Sequence, residues 1–137
     1  MANKSILALV ISSPGSLQDG LLALMTTIPQ ISAVLVAEDT NSALRIVETH
    51  QPALIIQDLS LLPDLEIIQQ IRERCQHVQL IGIAEDSTQQ ENAEAAGTDQ
   101  VLLRGFAPQK LIAIVDELID ENRPVGPPPV QTNFENL

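Results

Sequence analysis

Five short apolar runs alternate along the chain with longer segments whose apolar residues recur at helical spacing. Near-continuous apolar runs are typical of parallel strands that are covered on both faces. They occupy residues 6–11, 33–37, 53–57, 78–84 and 101–103. The amphipathic segments predict helices over residues 16–28, 41–51, 63–76, 87–97 and 108–122. Five successive β-then-α units predict one parallel sheet with helices on both faces, which is a three-layer, doubly wound (βα)₅ fold of the α/β class.

The length and composition fit one folded domain followed by a tail. A chain of 137 residues is long enough for one core, which must be aliphatic because there are two Phe and no Trp or Tyr. We assign residues 1–122 to the domain. Residues 123–137 carry four prolines among polar residues, which predicts a stiff C-terminal tail or linker.

Charge and cysteine content exclude several classes of protein. A net charge of -11 disfavours nucleic acid and anionic membranes as partners, because both require clustered basic residues. The apolar run near the N-terminus is too short to span a bilayer and has no signal-peptide layout, so we expect a cytoplasmic protein. The single cysteine, Cys75, excludes an internal disulfide and a cysteine-rich zinc site, and its helical context predicts a packed thiol.

Candidate functional residues follow the ends of the predicted strands, because ligands of open parallel sheets bind beyond that edge. In chain order these residues are Ser12, Ser13, Glu38, Asp39, Asp58, Ala84, Glu85, Asp86 and Arg104. The four acidic residues other than Asp58 are expected to cap helices or to lie in solvated loops. The two histidines, His50 and His77, fall in the last turns of predicted helices. The partial negative charge of a helix C-terminus attracts a basic side chain, so we expect this electrostatic role for them and not a catalytic one.

Two stretches carry a resemblance to a known family. The stretch NSALRIVETHQPALIIQDLSLLP is similar to the second helix, third strand and phosphoacceptor of response-regulator receiver domains, with Asp58 in the phosphoacceptor position. The stretch AEAAGTDQVLLRGFAP resembles the family's segment around the fifth strand. The resemblance covers roughly residues 5–122, and it implies a flavodoxin-like sheet of strand order 2-1-3-4-5 and a role in two-component phosphorelay signalling.

The sequence departs from the family at most positions that carry its chemistry. The resemblance aligns Ser12 and Ser13 with the usual acidic pair that holds Mg²⁺, Ala84 with a Thr or Ser, Val101 with the aromatic switch residue, and Arg104 with a Lys. Neutral hydroxyls are poor ligands for Mg²⁺, so we expect its binding to be lost or very weak. We therefore expect no cofactor, no metal, no catalytic residue and no enzymatic activity.

The turn Ser12-Ser13-Pro14-Gly15-Ser16 has two interpretations. It is either the remnant of an acidic metal pocket or a cradle for a small anion or nucleotide, built from helix-start amides and hydroxyls. It lacks the glycine spacing and Lys of a P-loop and the Gly-x-Gly-x-x-Gly of a dinucleotide site, which favours the remnant.

These departures predict a receiver-like protein that acts by contact with another protein and not by the usual phosphorylation cycle. The resemblance implies that the contact face is built from the fourth helix, the fifth strand and the fifth helix, with a second copy, another protein or a histidine kinase as partner. The alternatives are a sensor that uses the serine turn and a relay in which Asp58 still accepts phosphate. Without a metal ion, a carboxylate at the strand ends needs another counter-charge, and Arg104 is the only basic residue that the pattern places there. We therefore expect Asp58 to form a direct or water-bridged ion pair with Arg104.

Overall fold

The structure, a computed structural model, describes residues 6–60 and 66–121, the last four of them by backbone alone. Its strands are β1 (Ile6–Ile11), β2 (Ile31–Ala37), β3 (Leu54–Asp58), β4 (Gln79–Ala84) and β5 (Gln100–Leu103). Its helices are α1 (Ser16–Met25), α2 (Thr40–His50), α3 (Glu66–Arg74), α4 (Ser87–Ala96) and α5 (Pro108–Glu121).

The five strands form one parallel sheet in the order β2-β1-β3-β4-β5, so the predicted fold class and strand order are confirmed. β1, β3 and β4 are buried almost throughout, as their apolar runs predict. The expectation of burial on both faces is wrong for β2 and β5, which are only partly covered because they form the two edges of the sheet.

Aliphatic side chains cover both faces of the sheet. On one face, Leu21 and Met25 of α1 and Leu111 and Val115 of α5 pack against the sheet. The other face carries α2 and α3 on a second cluster, and α4 contributes only Ala93 to a third, small cluster. The core therefore anchors α4 more weakly than its neighbours, as its polar sequence predicts.

Short-range signals account for several helix ends. Asp39 caps α2 by accepting a hydrogen bond from the Ser42 backbone N–H at 2.7 Å, and Asp86 caps α4 in the same way through Gln89 at 2.9 Å. Gly97 ends α4 with a φ of 114°, a left-handed conformation that favours glycine. The capping expected of both aspartates is confirmed.

Some predicted boundaries need correction. The third helix ends at Arg74, two residues early, so His77 lies in the following turn and not in a last helical turn. His50 is the last residue of α2, as expected. The predicted start of the third helix at residues 63–65 and the tail at 123–137 lie outside the described residues.

Arg72 of α3 joins three elements at the amino-terminal edge of the sheet. Its guanidinium donates to the carbonyl oxygen of Val78 at 2.6 Å and to that of Gly97 at 2.9 Å. It also donates to Asp99 Oδ2 at 2.7 Å, and the same oxygen accepts the Leu80 backbone N–H at 2.7 Å. These bonds tie α3 to the start of β4 and to the connection between α4 and β5.

No helix among the described residues is long and apolar enough to cross a membrane.

Candidate functional site

Asp58 occupies the centre of the carboxyl edge of the sheet. It is the last residue of β3, the middle strand, and only 5% of its surface is exposed. Its Oδ1 atom accepts hydrogen bonds from the Ser60 backbone N–H at 3.0 Å and from the Ser60 hydroxyl at 2.7 Å. The four buried residues before it, LIIQ, explain this position, because burial of that strand leaves its last side chain at the sheet edge.

Arg104 provides the counter-charge of Asp58. Its Nη2 atom lies 3.1 Å from Asp58 Oδ1 and 3.3 Å from Oδ2, so the predicted ion pair is confirmed. The same atom donates to the Ser60 hydroxyl oxygen at 3.0 Å. Arg104 follows β5, its backbone N–H bonds the Ala84 carbonyl at 2.8 Å, and Gly105 turns the chain away with a φ of 93°.

Ser12 and Ser13 follow β1, next to β3, but differ from each other in environment. Ser12 is 1% exposed, and its hydroxyl donates to the Ser13 carbonyl at 3.0 Å. The Ser12 carbonyl accepts a hydrogen bond from the buried amide of Gln18 at 2.9 Å. Ser13 is exposed. Among the described contacts, neither hydroxyl bonds Asp58 or Arg104.

Ala84 is one residue beyond the register partner of Asp58 on β4. In the register between β3 and β4, Ile83 is the partner of Asp58. Because side chains alternate along a strand, Ile83 shares the face of Ile81, whereas Ala84 packs on the other face in the small cluster under α4. The group next to the carboxylate on β4 is therefore an aliphatic side chain, which cannot donate a hydrogen bond.

Val101 lies in that same small cluster, partly buried, with Leu59, Ala84 and Ala93. The space is filled by Leu59, whose Cδ1 atom would lie 2.9 Å from a Cβ atom built on Gly82. This close approach requires glycine at position 82 unless Leu59 moves. Packing between β4, β5 and α4 is thus aliphatic, and Val101 contributes no aromatic ring to it.

The donor set around Asp58 does not fit Mg²⁺. The described residues contain no group of three or more His, Cys, Asp or Glu side chains that could hold a metal ion. Mg²⁺ takes hard, mostly anionic oxygen ligands in octahedral geometry. Here one carboxylate meets a guanidinium and neutral hydroxyls, so no step of a mechanism is assigned to a metal ion.

Two further titratable groups have structural roles. Hydrogen bonds from Ser42, chiefly from its backbone N–H, lower the pKa of Asp39, as expected for a helix-capping carboxylate. Burial raises the pKa of the Cys75 thiol, which lies 3.5 Å from the Pro52 carbonyl oxygen. A thiol with a raised pKa is a poor nucleophile, so Cys75 is a packing residue.

The face built from α4, β5 and α5 carries a cleft of about 320 Å³. Its lining includes Gln90, Val101, Leu103, Arg104 and Lys110. Leu103 on the edge strand β5 is 44% exposed. Among the described residues it is the large hydrophobic side chain that is classed as exposed. Ile112 and Ile114 of α5 are partly buried against the core, and the side chains at 118 and 119 lie outside the described residues.

Sequence reasoning missed three residues of this region. Ser60 contacts both Asp58 and Arg104, Gln18 holds the Ser12 carbonyl, and Leu59 fills the space over Gly82. Only Ser60 had a local signal, because a serine two residues after an aspartate often bonds its carboxylate. The other two contacts depend on how α1 and β4 lie against the strand ends.

Solved structures with the same fold are numerous, although no protein-family profile and no curated protein matches the sequence. The receiver domain of a sensor histidine kinase from Pseudomonas aeruginosa, which has a magnesium ion coordinated in its active-site cleft, is 22% identical. The match has a TM-score of 0.72 and covers 87% of this chain and 99% of that one.

Two other solved structures show how widely the fold is used. A two-component response regulator of the LuxR family from Aurantimonas is 18% identical, with a TM-score of 0.76 and coverage of 88% of this chain and 89% of that one. A pilus assembly-related protein from Burkholderia pseudomallei is 17% identical, with a TM-score of 0.72 and coverage of 85% and 90%. The chain has the fold of response-regulator receiver domains.

Proposed function

We propose that the chain is an atypical receiver domain of two-component-type signalling, located in the cytoplasm, which acts through protein contact and without metal-dependent phosphorylation of Asp58. The observation that carries this proposal is the Arg104–Asp58 ion pair, in a site where the described residues form no group of three or more His, Cys, Asp or Glu side chains that could hold a metal ion. In this proposal Asp58 retains the phosphoacceptor position of the fold, while Ser12, Ser13 and Arg104 form a pocket with little affinity for Mg²⁺.

Charge neutralisation supports this proposal. Phosphoryl transfer to a carboxylate requires positive charge that the phosphoryl oxygens can use. Among the described contacts, Arg104 supplies the cation beside Asp58, and Ile83, the register partner of Asp58 on the neighbouring strand, offers no hydrogen bond. A domain with these features has no obvious switch driven by an aspartyl phosphate, and its contacts are constitutive.

The contact surface that we propose is the face of α4, β5 and α5. An exposed leucine on an edge strand favours association, because apolar surface and unpaired strand edges both attract a partner. The cleft beside Leu103 adds depth to this surface. A second copy of the chain is the partner that we test. Another protein, including a histidine kinase, would use the same face, and nucleic acid is disfavoured by the net charge of -11.

Sedimentation equilibrium of the wild type and of Leu103→Glu tests this function. We expect the wild type to self-associate, with or without acetyl phosphate, and the variant to remain monomeric because a carboxylate cannot be buried unpaired in an interface. Ala33→Glu on the opposite edge strand is the matched control, since Ala33 is also exposed. A monomeric wild type at high concentration, or association only after treatment with acetyl phosphate, would contradict the proposal.

A further inference from the structure

The Ser60 hydroxyl lies between a base and a cation. It donates a hydrogen bond of 2.7 Å to Asp58 Oδ1 and accepts one of 3.0 Å from Arg104 Nη2. A nucleophile and its base are expected at a separation of about 2.6 to 3.2 Å. A hydroxyl oxygen has one proton and two lone pairs, so one lone pair of Ser60 is not used by these two contacts.

We propose that Ser60 is a phosphoacceptor that reacts with acyl phosphates, with Asp58 as the general base and Arg104 as the group that binds the phosphoryl oxygens. This inference does not rest on the contact function proposed above, because it uses only the geometry of three side chains. It assigns to Asp58 the removal of a proton, a role distinct from that of acceptor.

The reaction balances without a metal ion or an oxidant. The free lone pair of Ser60 Oγ attacks the phosphorus atom, an Oγ–P bond forms, and the bond between phosphorus and the acyl oxygen breaks. The acyl group leaves as a carboxylate anion. The Ser60 proton passes to Asp58 Oδ1 and then to water. Positioned carboxylates perform this proton transfer in other phosphoryl transfers to hydroxyl groups.

The charges of the site favour the transfer step. Before the reaction, Arg104 is paired with the Asp58 carboxylate. While Asp58 holds the Ser60 proton it is neutral, so the guanidinium can bind the phosphoryl oxygens as the Oγ–P bond forms. Arg and phosphate form strong, charge-assisted hydrogen bonds. The Arg104 side chain is 42% exposed and Ser60 is half-buried, so a small phosphodonor can approach from solvent.

Incubation with acetyl phosphate in the presence of EDTA, followed by intact-protein mass spectrometry and peptide mapping, tests the proposal. We expect one phosphoryl group on Ser60 that survives hydroxylamine, which removes phosphate from a carboxylate but not from a serine. Ser60→Ala should abolish labelling. Asp58→Asn, which keeps the shape of the base, should slow it by about 100-fold or more. Arg104→Gln should slow it by about 100-fold.

Ser87→Ala is the matched control, because Ser87 is an exposed serine at the same edge of the sheet, and its labelling rate should equal that of the wild type. Circular dichroism establishes that each variant is folded. Hydroxylamine-sensitive label on Asp58, equal rates in Asp58→Asn and the wild type, or no label at all would each overturn the proposal. None of these outcomes decides the self-association of the chain, which sedimentation measures separately.

Discussion

Two arginine–aspartate pairs lie at opposite edges of the same sheet, and their surroundings differ. At the amino-terminal edge, Arg72 contacts Asp99 and also two backbone carbonyls from other elements. At the carboxyl edge, the Arg104 guanidinium donates hydrogen bonds only to side chains of the described residues, those of Asp58 and Ser60. An arginine that bonds the backbone of several elements holds the fold together. One that bonds only side chains can be changed while the fold remains.

Exposure strengthens this contrast. Side-chain exposure is 29% for Arg72 and 32% for Asp99, so that pair is shared evenly between protein and solvent. In the other pair, Asp58 is 6% exposed and Arg104 is 42% exposed. A buried carboxylate with a solvent-facing counter-ion is typical of a functional site, because a molecule from solvent can reach the arginine and change its pairing with the carboxylate.

The largest effect that we expect is a loss of stability in Arg72→Ala. Removal of its charge-assisted hydrogen bonds to Val78, Gly97 and Asp99 should lower the free energy of unfolding by about 2 kcal/mol. Urea denaturation followed by circular dichroism measures this. Arg74→Ala in the same helix is the control, because Arg74 forms a more exposed pair with Glu48 and should cost less than about 1 kcal/mol. Equal losses of unfolding free energy in Arg72→Ala and Arg74→Ala would show that the bonds of Arg72 to several elements have no special structural role.

A smaller effect is expected for Arg104→Ala. Asp58 keeps both hydrogen bonds from Ser60, and the lost partner is largely solvated, so the free energy of unfolding should fall by less than about 1 kcal/mol. The same urea experiment measures it. A loss as large as that of Arg72→Ala would mean that the Asp58–Arg104 pair is a structural element and would weaken its assignment as a functional site.

The smallest effect, none within error, is expected when Mg²⁺ is added to the wild type. Amide chemical shifts around Asp58 should change no more with millimolar MgCl₂ than with potassium chloride of equal ionic strength. The double variant Ser12→Asp, Ser13→Asp supplies two carboxylates at the end of β1 and should show shifts that saturate with Mg²⁺. Saturating shifts in the wild type would show that the Ser12, Ser13 and Arg104 pocket still binds the metal.

Much of the molecule follows from local signals. Apolar runs predicted all five strands to within about two residues, and Asp39, Asp86 and Gly97 marked helix ends through capping chemistry that acts over three or four residues. The pair of Asp58 and Arg104 was also predictable. The order of parallel strands places their carboxyl ends together, and an isolated buried carboxylate requires a counter-charge.

What the sequence by itself determined is therefore the fold and the contact between Asp58 and Arg104. Apolar runs that alternate with amphipathic segments specify the fold, and the positions of both residues at strand ends specify their contact. Tertiary structure decided which neighbours complete the site. Ile83 and not Ala84 is the register partner of Asp58, and the alternation of side chains places Ala84 on the other face of the sheet. Ser60 meets the guanidinium, and the edge position of β5 exposes Leu103. Each of these contacts depends on the placement of elements far apart in the chain, which no local pattern encodes.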